Sequence, residues 1–61
     1  MTTSQLINTI RKWTAANDRG PTFEELHGLL GGDDDTLREE LEKAQQANMI
    51  GQNADGTYFE I

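Results

Sequence analysis

The sequence predicts one α+β domain over residues 1–61, with three helices followed by a two-stranded β-hairpin. Two capping-box sequences and an aspartate cluster each precede an apolar pattern of helical period. After the third of these patterns the period becomes alternating, around a turn that ends at Gly56. A chain of 61 residues without cysteine must be stabilised by packing, helix caps or self-association.

The first helix is expected over residues 3–17. Thr2 and Gln5 have the spacing of a capping box, in which each side chain accepts a hydrogen bond from the other residue's backbone N–H group. The apolar stripe that follows comprises Leu6, Ile7, Ile10 and Trp13. Because Trp13 continues this stripe, we expect it in the core. Turn residues in segment 18–21 end the helix, and a short third strand is expected before the second helix.

The second helix is expected to start at a second capping box, formed by Thr22 and Glu25, and to end at Gly31. Its apolar side comprises Phe23, Leu26, Leu29 and Leu30. The third helix is expected over about residues 34–47, with Asp33 as its N-cap and further aspartates at the positive end of its dipole. Its buried side comprises Leu37, Leu41 and Ala44.

The end of the chain is expected to form a hairpin. An extended stretch begins at Met49, an Asn-Ala-Asp-Gly turn follows, and a second strand covers residues 57–61. Alternation places Phe59 and Ile61 on one face, which we assign to the core, and Tyr58 on the exposed face. An isolated hairpin is marginally stable, so it must pack on the helices. Three helices followed by such a wing are the layout of a winged helix-turn-helix.

A family resemblance strengthens this prediction. It is carried by Ile10-Arg11-Lys12, by Gly20-Pro21-Thr22-Phe23-Glu24-Glu25-Leu26, by Leu29-Leu30-Gly31, and by Leu41 with Met49-Ile50. Through these residues the chain resembles the N-terminal DNA-binding domain of LexA-type repressors, within the bacterial winged helix-turn-helix superfamily. Two features depart from the LexA pattern. The turn before the third helix is shorter and filled with aspartates, and the self-cleaving, dimerising half of LexA is not expected in this chain.

The resemblance implies that the third helix lies in the DNA major groove and that the wing touches the DNA backbone. Carried over by position, the base-contacting candidates are Asp35, Arg38, Glu39 and Gln46. The candidates for backbone contacts are Lys43, Arg11, Lys12 and Arg19. Tyr58, expected to be exposed on the wing, is a further candidate for a partner surface. The leading hypothesis is therefore a small DNA-binding transcriptional regulator or accessory factor.

The charge distribution favours a different class of partner. The formal net charge is −6 at pH 7, and segment 33–47 holds six carboxylates and two cations. Specific DNA-binding proteins neutralise about 6–10 phosphates, whereas this monomer has five cations in all. The alternative is an acidic protein-interaction module (an inhibitor, an adaptor or a mimic of nucleic-acid charge) that binds a basic partner protein. The sequence is also compatible with a homodimer, and with an acidic face that only keeps the chain soluble.

No pattern in the sequence is typical of an enzyme, a cofactor site or a metal site. Ser4 is the only serine and lies near the chain start, so nucleophilic catalysis has little support. Glu24 and His27 form a single Glu-x-x-His half-motif, which we interpret as a helix-surface pair. The aspartates of segment 33–35 are consecutive and rarely converge on one ion, so we interpret them as helix caps. Apolar runs are too short for a membrane span and no signal peptide precedes them, which favours a cytoplasmic protein.

Overall fold

In the computed structural model, which describes residues 2–61, three helices precede a two-stranded antiparallel sheet. The elements are α1 (Thr3–Asn17), α2 (Phe23–Leu30), α3 (Asp34–Gln46), β1 (Ile50–Gln52) and β2 (Tyr58–Glu60). The predicted α+β class and the winged-helix layout are confirmed. The helix bounds also follow the predicted ones, because each helix is delimited by local capping chemistry.

The three helices begin at the predicted caps. The Thr2 hydroxyl accepts a hydrogen bond from the Gln5 backbone N–H at 3.2 Å, and the Gln5 side chain accepts one from the Thr2 N–H at 3.0 Å. Thr22 and Glu25 repeat this capping box at the start of α2, with distances of 3.3 and 3.0 Å. At α3 the Asp33 carboxylate accepts a hydrogen bond from the backbone N–H two residues ahead. These contacts satisfy amide groups that the first helical turn leaves without partners.

All five elements contribute to one apolar core. Its buried members are Leu6, Ile10, Leu26, Leu37, Leu41, Ala44, Ile50 and Tyr58. Ile7, Phe23 and Leu30 pack against this cluster while remaining partly exposed. The predicted stripes of α1 and α3 therefore face the core. Trp13 is the exception, because it is only half-buried at the end of the α1 stripe, with the Arg19 guanidinium 5.5 Å from its ring centroid.

The hairpin faces the helices with the opposite side from the one predicted. Tyr58 is 7% exposed and belongs to the core, whereas Phe59 and Ile61 are 38% and 70% exposed. The strands pair Gln52 with Tyr58 and Ile50 with Glu60, which puts Ile50 and Tyr58 on the same, inner side. Since side chains alternate along a strand, the inward turn of Tyr58 forces Phe59 and Ile61 outward. The prediction that Tyr58 is exposed and available to a partner is wrong.

The segment between α1 and α2 decides which hairpin face turns inward. The Tyr58 backbone N–H donates a hydrogen bond to the Pro21 carbonyl at 2.8 Å, and Pro21 is fully buried. Gly20 lies so close to β2 that a β-carbon there would be 1.9 Å from the Tyr58 carbonyl oxygen. The predicted third strand is thus reduced to a single ladder-like contact, which still holds the outer edge of β2 against the helices.

Replacing Gly20 with alanine tests this contact. The added methyl group would overlap the Tyr58 carbonyl oxygen, so we expect Gly20→Ala to lower the free energy of unfolding by at least about 2 kcal/mol. The matched control is Gly28→Ala in α2, where a β-carbon meets no atom within 4 Å. Alanine is the better helix former, so this control should raise stability by about 1 kcal/mol. Urea denaturation of both variants makes the comparison, and equal effects would contradict the proposed role of Gly20.

The exposed face of helix three as a candidate binding surface

Five of the nine residues predicted to contact a partner lie together on α3. Its buried residues Leu37, Leu41 and Ala44 define the inner side of the helix. The exposed residues opposite them, here called the α3 face, are Asp35, Arg38, Glu39, Glu42, Lys43 and Gln46. Glu42 was not among the predicted residues, although its helical spacing from Glu39 could have identified it. Tyr58 does not join this surface because its side chain is in the core.

Two cations on the α3 face already have neighbours within the chain. The Lys43 ammonium lies 3.7 Å from a Glu39 carboxylate oxygen, one helical turn away, and both side chains are more than 60% exposed. Such an exposed pair contributes little to stability but compensates one carboxylate locally. The Arg38 guanidinium lies over the Phe23 ring of α2, 5.1 Å from its centroid. Arg38 is therefore held towards α2 by a cation–π contact.

His27 connects the end of α2 to the start of α3. Its Nε2 atom lies 2.9 Å from an Asp34 carboxylate oxygen and 3.0 Å from the Gly32 carbonyl oxygen. Since both neighbours are acceptors, Nε2 is the ring nitrogen that carries hydrogen. The predicted pairing of His27 with Glu24 is not what the structure shows. Positive φ angles at Gly31 and Gly32 turn the chain so that Asp34 returns to the imidazole.

The remaining arginines, Arg11 and Arg19, are held by carboxylates that do not belong to α3. The Arg11 Nε atom donates to Glu60 Oε1 at 3.0 Å, and Arg11 Nη2 donates to Glu60 Oε2, so the pair is bidentate. The Arg19 guanidinium binds Glu25 in the same way, with distances of 2.8 and 2.7 Å. Planar two-point contacts of this kind are the strongest form of arginine–carboxylate pairing. The Arg11–Glu60 pair could not be predicted from local spacing, since its members are 49 residues apart.

These contacts shift the acidity of the paired carboxyl groups. The hydrogen bond from Arg19 is the main reason that the pKa of Glu25 is lowered from 4.5 to about 2, and the Thr22 backbone N–H adds to it. The hydrogen bond from Arg11 likewise lowers the pKa of Glu60. Both carboxylates therefore stay ionised at neutral pH and keep their arginines occupied.

Most basic side chains of this protein already contact another side chain of the same chain. Among residues 2–61, Lys12 is the cation with neither a salt bridge nor a cation–π contact. The acidic groups are less often paired, since Asp35 and Glu42 of the α3 face have no cationic partner within the described residues.

Within residues 2–61, no three His, Cys, Asp or Glu side chains converge as metal ligands. The described helices are too short or too polar to cross a membrane.

Comparisons of the chain with models of known protein families, with curated proteins and with solved structures found no match. The resemblance to LexA-type repressors therefore stays a prediction from the sequence motifs.

The Arg19–Glu25 pair predicts how stability depends on pH. Because folding lowers the pKa of Glu25 from 4.5 to about 2, its contribution is present above pH 4.5 and is lost as the pH falls towards 2. We expect Glu25→Gln to lower stability at neutral pH and to flatten the acid decline. Glu24→Gln, which removes a neighbouring charge without an arginine partner, is the control. Urea denaturation across this pH range measures both, and an NMR titration placing Glu25 near 4.5 would contradict the assignment.

Proposed function

We propose that this domain is an acidic protein-interaction module, which binds a basic surface on a partner protein through the α3 face. The observation that carries the proposal is the occupation of Arg11 and Arg19 by Glu60 and Glu25. These arginines are two of the four residues predicted to contact a nucleic-acid backbone, and a third, Lys43, lies beside Glu39. Engaging a phosphate would require each of them to give up a bidentate carboxylate.

The charge balance of the third helix supports the same choice. With its cap, segment 33–47 holds six carboxylates and two cations, and Lys43 is already beside Glu39. Approach of a DNA duplex along this helix would place unpaired carboxylates against phosphates, which costs affinity instead of supplying it. A lysine- or arginine-rich protein surface gains from the same field, which steers its approach and favours it over acidic competitors.

The α3 face also has the geometry of a rigid recognition element. Asp35, Glu39 and Glu42 project from one side of a helix whose other side is anchored by three buried residues. A partner therefore meets carboxylates at fixed spacing, without first ordering a loop, and this preorganisation lowers the entropy lost on binding. Arg38 and Gln46 at the margins supply hydrogen-bond donors that would add selectivity.

DNA binding is the second candidate, and one observation favours it. Arg38 and Gln46 are both exposed on the α3 face of a winged-helix layout. Arginine and glutamine side chains are suited to the edges of guanine and adenine in the major groove. This arrangement would supply base contacts, but with few free cations to contact the backbone.

A matched pair of charge-neutralised variants tests the proposal. Asp35→Asn with Glu39→Gln removes two charges from the α3 face, and Asp18→Asn with Glu24→Gln removes two exposed charges elsewhere. Each tagged chain is used to capture proteins from its native lysate, and captured proteins are identified by mass spectrometry. We expect the wild type and the second variant to retain a protein of pI above about 9 that the first variant loses. Raising the salt concentration should weaken this capture.

The outcome is read together with a mobility-shift assay on a random-sequence DNA duplex. We expect no retardation at about 10 µM protein in low salt. Retardation of the duplex at that concentration would favour the DNA candidate and overturn the proposal. A wild-type chain that captures nothing beyond what the Asp35→Asn, Glu39→Gln chain captures would also overturn it.

A further inference from the structure

An open groove of about 340 Å³ lies between α1 and the last turn of α2. Its lining residues, here called the α1–α2 groove, are Thr9, Lys12, Trp13, Ala16, Asn17 and Leu29. Leu29 is 56% exposed and forms one apolar wall, and the partly exposed Trp13 ring with Ala16 forms the other. Pockets for small molecules usually have volumes of about 300–1,000 Å³. The groove therefore has the size of a site for a small ligand with an apolar body.

The α1–α2 groove differs in charge from the molecule as a whole. The chain has a net charge of −6, yet no Asp or Glu is among the residues that line the groove. Its one charged residue is Lys12, which makes no salt bridge or cation–π contact within residues 2–61. Because salt screens exposed charges beyond about 10 Å, this unpaired ammonium group dominates the local field. An anion is the ligand charge that complements it.

The hydrogen-bonding groups of the groove also favour a ligand that accepts hydrogen bonds. The Thr9 hydroxyl donates to the Gln5 carbonyl at 2.7 Å, so this donor is used within α1. The Asn17 amide is used in the same way, since it donates to the Trp13 carbonyl at 3.0 Å. The Trp13 indole N–H group, in contrast, is buried without an acceptor among the described residues. The two groups that lack an acceptor, this N–H and the Lys12 ammonium, are both donors, and a carboxylate has acceptor oxygens only.

We propose that the α1–α2 groove binds a small amphipathic carboxylate, a free molecule with one carboxylate group on an apolar body. The carboxylate pairs with the Lys12 ammonium, and the apolar body lies between the Trp13 ring and the Leu29 side chain. An alcohol or an amine with the same apolar body is disfavoured, because neither forms an ion pair with Lys12. The groove belongs to α1 and α2, so this proposal does not rest on partner binding through the α3 face.

Hexanoate, 1-hexanol and hexylammonium test the proposal at constant ionic strength, because they share an apolar body and differ in charge. Trp13 is the only tryptophan, so its fluorescence and the NMR resonance of its indole N–H group report on the groove directly. We expect saturable binding of hexanoate with a dissociation constant of about 1–10 mM. 1-Hexanol should bind about three- to fivefold more weakly, as expected for loss of an exposed ion pair, and hexylammonium more weakly still.

Matched variants assign the binding to the groove. Lys12→Gln should weaken hexanoate binding about three- to fivefold and leave 1-hexanol binding unchanged. Lys43→Gln removes the same charge from α3 and should leave the binding of both probes unchanged. Leu29→Ser should weaken the binding of both probes. Ile61→Ser, which removes an exposed apolar side chain after β2, should weaken neither.

Three results would overturn the proposal. One is the absence of any saturable change at Trp13 up to about 50 mM hexanoate. Another is an equal loss of hexanoate binding in Lys12→Gln and Lys43→Gln. The third is tighter binding of hexylammonium than of hexanoate, since the net charge of −6 would then govern binding instead of Lys12. None of these measurements involves a basic partner protein, so this proposal and that for the α3 face fail independently.

Discussion

The backbone hydrogen bond from Tyr58 to Pro21 is the contact on which the surface of this protein depends. It holds β2 against the segment between α1 and α2, and Gly20 permits the close approach. Because strand side chains alternate, fixing Tyr58 inward also fixes Phe59 outward. A slip of one residue would bury the opposite set and expose the tyrosine. The exposure of Phe59 is therefore a consequence of how the core closes, not a separate feature of the sequence.

The second constraint is the internal pairing of charge. The net charge of −6 does not tell whether the cations are free to bind an acidic ligand, but in this fold Arg11 and Arg19 are both paired with carboxylates of other elements. Arg11 links α1 to the last strand, and Arg19 links the first loop to the cap of α2. The same contacts that tie these segments together leave the carboxylates of α3 as the dominant accessible charge. Fold resemblance and electrostatics point to different partners, and the pairing geometry favours protein over DNA.

Much of the fold could be predicted from the sequence because its determinants are local. Capping residues such as Thr22 and Asp33 lie within three residues of the amides they satisfy, and the α3 stripe is defined by helical spacing. The hairpin face could not be predicted in the same way, since apolar residues occupy both sides of the strand: Tyr58 with Ile50, and Phe59 with Ile61. The contact that distinguishes these two sides comes from Pro21, far away in the chain. Most of the α3 face could be predicted from helical spacing. The Arg11–Glu60 pair could not, because no spacing pattern in the sequence relates residues that are 49 positions apart.

The charged and the apolar exposed side chains of this domain are separated by the core. The α3 face points away from Leu41 and Ala44, whereas Phe59 lies on the side of the hairpin away from Ile50 and Tyr58. A partner that binds the α3 face therefore contacts carboxylates and not the apolar side chains of the hairpin. Its recognition would depend on complementary charge more than on apolar burial, because the apolar residues of α3 are already used in the core.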